Sequence, residues 1–383
     1  MPSRIAPILC VVLALGVNSG TPALTVDLRQ QPSRDSISVD DFGLHAPSQA
    51  VLAGSEFVWL TGPQQGVAVV DVSSGRARSL GVIGSGPGEF RQVSRVFGCA
   101  GSAGWIDAEL SRATWLQPDG RGTPHVTPLP ATTVARGKLV DAWCLADTLW
   151  YSFERETSAR GPVISDTLLI FRVARTGGRV DTIARMAGTR RVVRNQGALR
   201  TSTRVPYTSS PVAVPGSKGP LVLWRSADSM SIDVAGPGQP TAAVRGGRGA
   251  PLTARHVALL KDSIKAARDA EMEAARYPED LRREFRRVHD AAIDAMTLPA
   301  TLPTVRLAVP IPGRTNQALV IENAMPALRD VCFAVLSQSG ILGDRRCYQP
   351  LRRTFGAAVH TGRDIWLAEW NDDGAWLRRQ SSK

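Results

Sequence analysis

Ala53-Gly54-Ser55-Glu56-Phe57-Val58-Trp59 is the stretch whose recurrence decides the fold. In it a small, turn-forming lead runs into a short strand marked by tryptophan. The same pattern returns from Cys99 to Trp105, from Cys144 to Trp150 and from His360 to Trp366. The strands themselves read Val58-Trp59-Leu60, Trp105-Ile106, Leu149-Trp150-Tyr151 and Ile365-Trp366-Leu367. The first three markers are 46 and 45 residues apart, and weaker copies stand at Leu221-Val222-Leu223-Trp224 and Ala318-Leu319-Val320-Ile321. Around them, from Ser36 onward, short apolar or alternating runs are broken by Gly, Pro, Asp and Ser at the spacing of an all-β chain.

Six units of about 45 residues match four-stranded blades set around an axis, so the expected fold is an all-β, six-bladed β-propeller. The rest of a blade is legible in the first unit. Val67-Ala68-Val69-Val70-Asp71-Val72 reads as a third strand, Ser73-Ser74-Gly75 as its turn and Ala77-Arg78-Ser79-Leu80 as the outer strand. The final unit supplies only three strands, Gly356 to His360, Ile365 to Glu369 and Ala375 to Arg379. Ser36-Ile37-Ser38-Val39 is then expected to complete it, closing the ring through the two ends of the chain and hiding strand edges that would otherwise be open.

One stretch breaks the rhythm. Val257, Leu260, Ile264 and Ala267 fall on one helical face, and so do Leu281, Phe285, Val288, Ala292 and Met296. Thr253 is a good N-cap, and Tyr277-Pro278-Glu279-Asp280 ends one helix and begins the next. Residues 253–298 therefore read as a helical hairpin of nine basic and nine acidic residues inserted between the fourth and fifth units. It acts either as a strut packed on the ring or as a lid over one mouth of the channel.

Residues 1–23 carry Arg4, a compact apolar run from Ile8 to Val17 and then small residues. This is the pattern of a secretory signal peptide, with Thr21-Pro22-Ala23 as the cleavage motif and Val17-Asn18-Ser19 as the alternative. Cys10 would leave with it. The propeller then spans 24–383 and is expected to be secreted or periplasmic, with no membrane span. The four remaining cysteines, Cys99, Cys144, Cys332 and Cys347, favour disulfides in an exported chain. Cys99 and Cys144 each stand six residues before a tryptophan marker, so neighbouring inner strands should bring them together. Cys332 and Cys347 are symmetric about Ser339-Gly340, a two-residue hairpin signal, and should face each other across one hairpin.

Gly84-Ser85-Gly86-Pro87-Gly88-Glu89-Phe90 admits two readings, a phosphate-cradling loop or a joint between sheet units. No helix pattern follows it and no lysine stands where a phosphate loop needs one, which favours the joint. The run also resembles the Gly-x-Gly-Pro-Gly-Glu-Phe signature of secreted bacterial six-bladed β-propellers related to NHL repeats. The resemblance extends through the helical insert, Leu302-Pro303, the hairpin Asp330-Val331-Cys332-Phe333 with Gly340 and Leu342-Gly343, and the tail Asp364-Ile365-Trp366-Leu367-Ala368-Glu369-Trp370-Asn371-Asp372. It implies fold and compartment but no catalytic residues. The chain departs from it in Cys332 and Cys347 and in the long, acid-poor stretch between the third and fourth units.

Sites are sparser. The chain has no Gly-x-Ser-x-Gly elbow and no His-Glu-x-x-His, so neither a serine nucleophile nor a zinc hydrolase has its motif. Asp107, Glu109, Asp141, Asp147 and Asn371-Asp372-Asp373 are the oxygens available to a channel calcium, which keeps a calcium-dependent hydrolase or lactonase-type propeller as the alternative. The net charge of +12 points to anionic partners, and its most localised part lies between Met186 and Pro211, where Arg190, Arg191, Arg194, Arg200 and Arg204 occur without an acid. Arg245 and Arg248 follow in a glycine-rich run. With Glu89 at the blade joint and His360 on an innermost strand, these are the candidate ligand-binding residues. The expected protein is a monomeric, exported binding or scaffold module, without cofactor, for an anionic ligand or a protein partner rather than nucleic acid.

Overall fold

The computed structural model describes residues 24–26, 36–42, 44–62, 66–130, 137–145, 147–156, 163–196, 199–205, 212–216, 219–225, 232–235, 242–243, 251–274, 276–298, 300, 305–311, 317–322, 331–337, 346–348, 353–362, 364–371 and 374–381. The segment read as a signal peptide, residues 1–23, lies outside them.

Six antiparallel sheets follow one another along the chain. Sheet 1 runs through Gln49–Ala53, Phe57–Thr61, Val67–Asp71 and Arg76–Leu80, and sheet 2 through Val93–Gly98, Ala103–Asp107, Arg112–Leu116 and His125–Pro128. Sheet 3 has five strands, Gly137–Leu145, Thr148–Arg155, Val163–Ala174, Asp181–Gln196 and Leu199–Arg204. Sheet 4 comprises Val212–Gly216, Gly219–Arg225, Ile232–Ala235 and Ala242–Ala243, and sheet 5 Val305–Pro310, Gln317–Glu322, Val331–Ser337 and Arg346–Tyr348. Sheet 6 takes Arg353–His360, Asp364–Asn371 and Gly374–Ser381 from the end of the chain.

The first strands of sheets 1 to 6 adjoin one another in that order, and the first strand of sheet 6 adjoins that of sheet 1. The six sheets thus close into a ring with their first strands innermost, which is a β-propeller. Closure comes from Ser36–Ser38, which pairs with the outer edge of Gly374–Ser381 in the register Ser36↔Arg378, Ile37↔Leu377, Ser38↔Trp376. A second N-terminal strand, Leu24–Val26, pairs with Arg353–Phe355 on the opposite, channel-side edge of the same sheet. No alternating pattern in the sequence announces so short a strand.

The repeating segments form the second strand of every sheet, marked by tryptophan in five of the six. Trp59 and Trp105 are fully buried, with ring centroids 6.3 Å apart, and Phe90 meets Trp105 edge-on. Each such ring removes on the order of 200 Å² from water, so a marker missing from one blade would loosen the contact with the next. Close backbone approach fixes the neighbouring inner strands as well: a side chain at Gly98 would strike the carbonyl of Leu52 in sheet 1. Cys99 and Cys144 are bonded, with Cα atoms 5.1 Å apart, tying sheet 2 to the inner strand of sheet 3. Cys332 and Cys347 are direct partners in the backbone register of sheet 5, while the turn at Ser339-Gly340 lies outside the described residues.

The inserted hairpin consists of α1, Ala254–Ala274, and α2, Glu279–Asp294. The Thr253 hydroxyl accepts a hydrogen bond from the His256 N–H at 3.3 Å, the N-cap expected from sequence. Although the hairpin is inserted after sheet 4, it docks on sheet 3: Ala292 and Met296 pack against Val192 and Val205. Sheet 3 can receive it because its third and fourth strands are 12 and 16 residues long, against 5 and 4 for the same strands of sheet 2.

Reduction or the double substitution C99A/C144A removes a cross-link spanning 45 residues. It should cost about 2–4 kcal/mol of folding stability by releasing loop entropy in the unfolded chain. Denaturant unfolding with and without reductant measures it.

Candidate functional site

Strand direction alternates, so the starts of first and third strands share one end of every sheet with the ends of second and fourth strands. The joint Gly84 to Phe90, the end of Thr148–Arg155 and the end of Asp181–Gln196 therefore lie on one face of the ring. His360, at the end of a first strand, lies on the other.

The joint is spent on structure. The Glu89 carboxylate accepts the Gly86 N–H at 2.6 Å, and a side chain at Gly84 would collide with that carboxylate. Arg112 closes the same loop from sheet 2, donating to the Ser85 carbonyl at 2.8 Å, the Gly86 carbonyl at 2.6 Å and the Glu89 carbonyl at 3.1 Å. Glu89 thus acts as a loop clamp in the joint. His360 is buried, and its Nδ1 accepts the Gly362 N–H at 2.8 Å, an ordinary turn contact.

The arginine-rich stretch is different. Register places Arg191 directly opposite Arg204 on the last two strands of sheet 3. Pleating then sends Val192 and Val205 to the face covered by α2, and Arg191 and Arg204 to the other. On that face Arg204 Nη2 donates to Glu154 Oε2 at 2.7 Å, and Arg191 Nε to Asp166 Oδ2 at 2.5 Å. Both carboxylates are buried, with side-chain exposures of 4% and 0%. Glu154 also accepts the Thr189 N–H at 2.5 Å, across a spot where Gly188 leaves room. Arg190 and Arg194 fall by the same alternation on the helix-bearing side, Arg194 exposed. Arg245 and Arg248 lie outside the described residues, as does the side chain of Arg200.

Sequence reasoning missed the inner half of this cluster. Lys138 begins the inner strand of sheet 3 and is paired with Glu154. One sheet away, Arg95 Nε donates to the Val140 carbonyl at 2.7 Å and its Nη1 to the Ser94 carbonyl at 2.6 Å. Both acceptors sit where the inner strands bulge, between Val93 and Arg95 and between Leu139 and Asp141, which re-aims the side chains that follow. Burial, then the like charges of Arg204 and Arg95, outweigh the attraction of Glu154 and bring the Lys138 amine down to about 7. Burial pushes the Asp141 carboxyl up to about 6 against the pull of Arg95 and the Ala142 N–H. Burial also lowers Arg95 to about 10. An acid-free arginine stretch was visible in sequence; the lysine was not, because nothing local marks it.

Of the calcium oxygens named from sequence, Asp372 and Asp373 lie outside the described residues. Asp107 accepts the N–H groups of Arg91 at 2.6 Å and Leu110 at 2.9 Å, and Asp147 occupies a positive-φ turn. Among the described residues no three His, Cys, Asp or Glu side chains gather closely enough to hold an ion. No described helix is long and apolar enough to cross a membrane.

No family model and no curated protein matches the chain. Among solved structures, YCF48 bound to a D1 peptide is similar over 92% of this chain and 85% of its own, at 13% identity and a TM-score of 0.42. A putative exported protein from Bacteroides fragilis matches over 94% and 95% at 10% identity and 0.44. A DUF4221-family member from Bacteroides vulgatus matches over 93% and 98% at 8% and 0.45. Likeness at this level carries nothing about the site.

Because Lys138 titrates lower in the folded protein than in the unfolded chain, its charge destabilises the fold fully below pH 7, and that cost fades as pH rises toward 10.5. The substitution K138M should therefore raise the melting temperature at pH 6 and raise it progressively less up to pH 10, measured by thermal unfolding across that range.

Proposed function

We propose that this propeller is an exported binding or scaffold module whose sheet-3 extension holds anionic ligands or an acidic patch of a protein partner. The observation that carries the reading is the arginine group at the end of the longest strands. Buried Glu154 and Asp166 hold Arg204 and Arg191 in place, while Arg190 and Arg194 stand at the flank. Buried acids that pre-orient guanidinium groups lower the entropy lost when those groups meet a carboxylate, sulfate or phosphate. The helical hairpin supports the reading as a strut. By covering the other face of the extension it keeps long strands rigid where they leave the ring.

Two observations support an exported setting. The Cys99–Cys144 bond belongs to an oxidising compartment, and residues 1–23 have the composition of a secretory leader. The blade joint at Gly84 to Phe90 and the six-unit repeat fit the secreted, NHL-like six-bladed propellers, acting here as a monomer.

The test uses a heparin column and two double variants of equal charge. R190A/R194A removes the two arginines on the helix-bearing side of the extension and leaves Arg191 and Arg204 in place. R121A/R179A removes exposed arginines from turns between third and fourth strands, on the opposite face. The first should elute at clearly lower salt than the wild type and the second close to it. Equal shifts in both would reduce the binding to net charge and overturn the reading.

A further inference from the structure

Sheet 3 ends in an open edge. Its fifth strand, Leu199–Arg204, is paired with Asp181–Gln196 on one side, and no described strand lies along the other. Register fixes which groups that outer side presents. The Val205 N–H donates to the Arg190 carbonyl at 2.8 Å, so residues 190 and 205 form a hydrogen-bonded pair and the ladder alternates from there. Arg191 with Arg204, and Val193 with Ser202, are then non-hydrogen-bonded pairs. The backbone N–H and C=O groups of Arg204, Ser202 and, by the same count, Arg200 point outward. Among the described residues none of these groups meets a partner there. Ser202 is exposed, and α2 backs the strand pair through Val192 and Val205.

We infer that this edge takes an added antiparallel strand from an acidic partner protein, an extended segment with acidic residues four positions apart. The acidic sign of the partner rests on the reading above; the main-chain edge that holds it does not. An added strand forms hydrogen-bonded pairs with Arg204, Ser202 and Arg200, so main-chain bonds supply affinity and the facing side chains supply choice. The residues set opposite Arg204 and Arg200 are four apart in that strand, and Ser202 faces the one between them. Opposite charges on neighbouring strands attract, and like charges directly opposed destabilise the pair. The surroundings keep the positive sign. Residues 186–205 hold five arginines and no acid, against the two carboxylates, Glu154 and Asp166, that reach Arg204 and Arg191. Asp290 and Asp294 of α2 are bound to Arg268 and Lys265 of α1. A second copy of the chain is a poor occupant, because antiparallel pairing of two such edges about Ser202 would oppose Arg204 to Arg200.

The probe is the peptide Thr-Glu-Val-Ser-Val-Glu-Thr, labelled with fluorescein and titrated with the whole protein by fluorescence anisotropy. It should bind saturably, and the same peptide with lysine for both glutamates should bind about tenfold more weakly or worse. N-methylation at its serine, whose N–H faces the edge, should weaken binding about tenfold, whereas N-methylation at a valine, whose N–H faces solvent, should change it by less than about twofold. S202P removes one outward N–H without touching a bond of the sheet, at a position where an edge strand tolerates proline. It should lose about tenfold in peptide affinity yet elute from heparin with the wild type, because Arg190 and Arg194 remain. If S202P does not fold, the two N-methyl peptides read the same edge on the wild-type protein. No binding at millimolar concentration, equal affinity for the lysine peptide, or no difference between the two N-methyl peptides overturns the added strand. Dimerisation that S202P abolishes would assign the edge to a second copy and overturn the peptide as its occupant. Heparin retention through Arg190 and Arg194 stands or falls separately, because it does not use the outward backbone groups.

Discussion

The ring depends on one short pairing. Ser36–Ser38 lies along Gly374–Ser381, and without it the last sheet would keep four of its five strands and an open outer edge. The closure is reinforced just beyond the strand, where the Val39 N–H donates to the Ala375 carbonyl at 2.9 Å. Val39 and Leu44 are fully buried in the cluster that joins sheet 6 to sheet 1, alongside Val58, Leu60, Val359 and Trp366. A buried ion pair, Arg378 Nε to Glu369 Oε2 at 3.2 Å, sits within the same sheet. Such a pair adds little stability over an apolar one but penalises a slipped register, in which either charge would be buried alone. Closing the ring through both chain ends makes every other blade contact cooperative with this one.

Much of this architecture is legible in the sequence because its causes are local. Trp59, Trp105, Trp150 and Trp366 mark second strands since a pleated strand with one face in the interblade core needs a large apolar group at a fixed offset from the preceding turn. The offset of Cys99 and Cys144 from their markers carried the same register information, and the bond follows from it. The helices were visible through their period and through Thr253.

What stayed hidden depends on contacts between distant segments. Nothing in Ala292 or Met296 says that they will meet Val192 and Val205 instead of the sheets adjoining the insertion. The pairing of Lys138 with Glu154 requires a register set by a bulge, and a bulge has no composition of its own. Glu89 looked available because its clamp on Gly86 is invisible without the loop's path. The arginine stretch stands out in sequence for its absence of nearby acids, yet its acids arrive from other strands. They convert a solvated charge run into a held array.

The proposed binding lies at one end of one sheet, and hydrogen exchange reads that location directly. With a heparin fragment added, exchange should slow chiefly in residues 186–205, where the arginine-bearing strands pair, with the turns around Arg121 and Arg179 unchanged. Protection spread evenly over both faces of the ring, or confined to the side of Arg121 and Arg179, would contradict it.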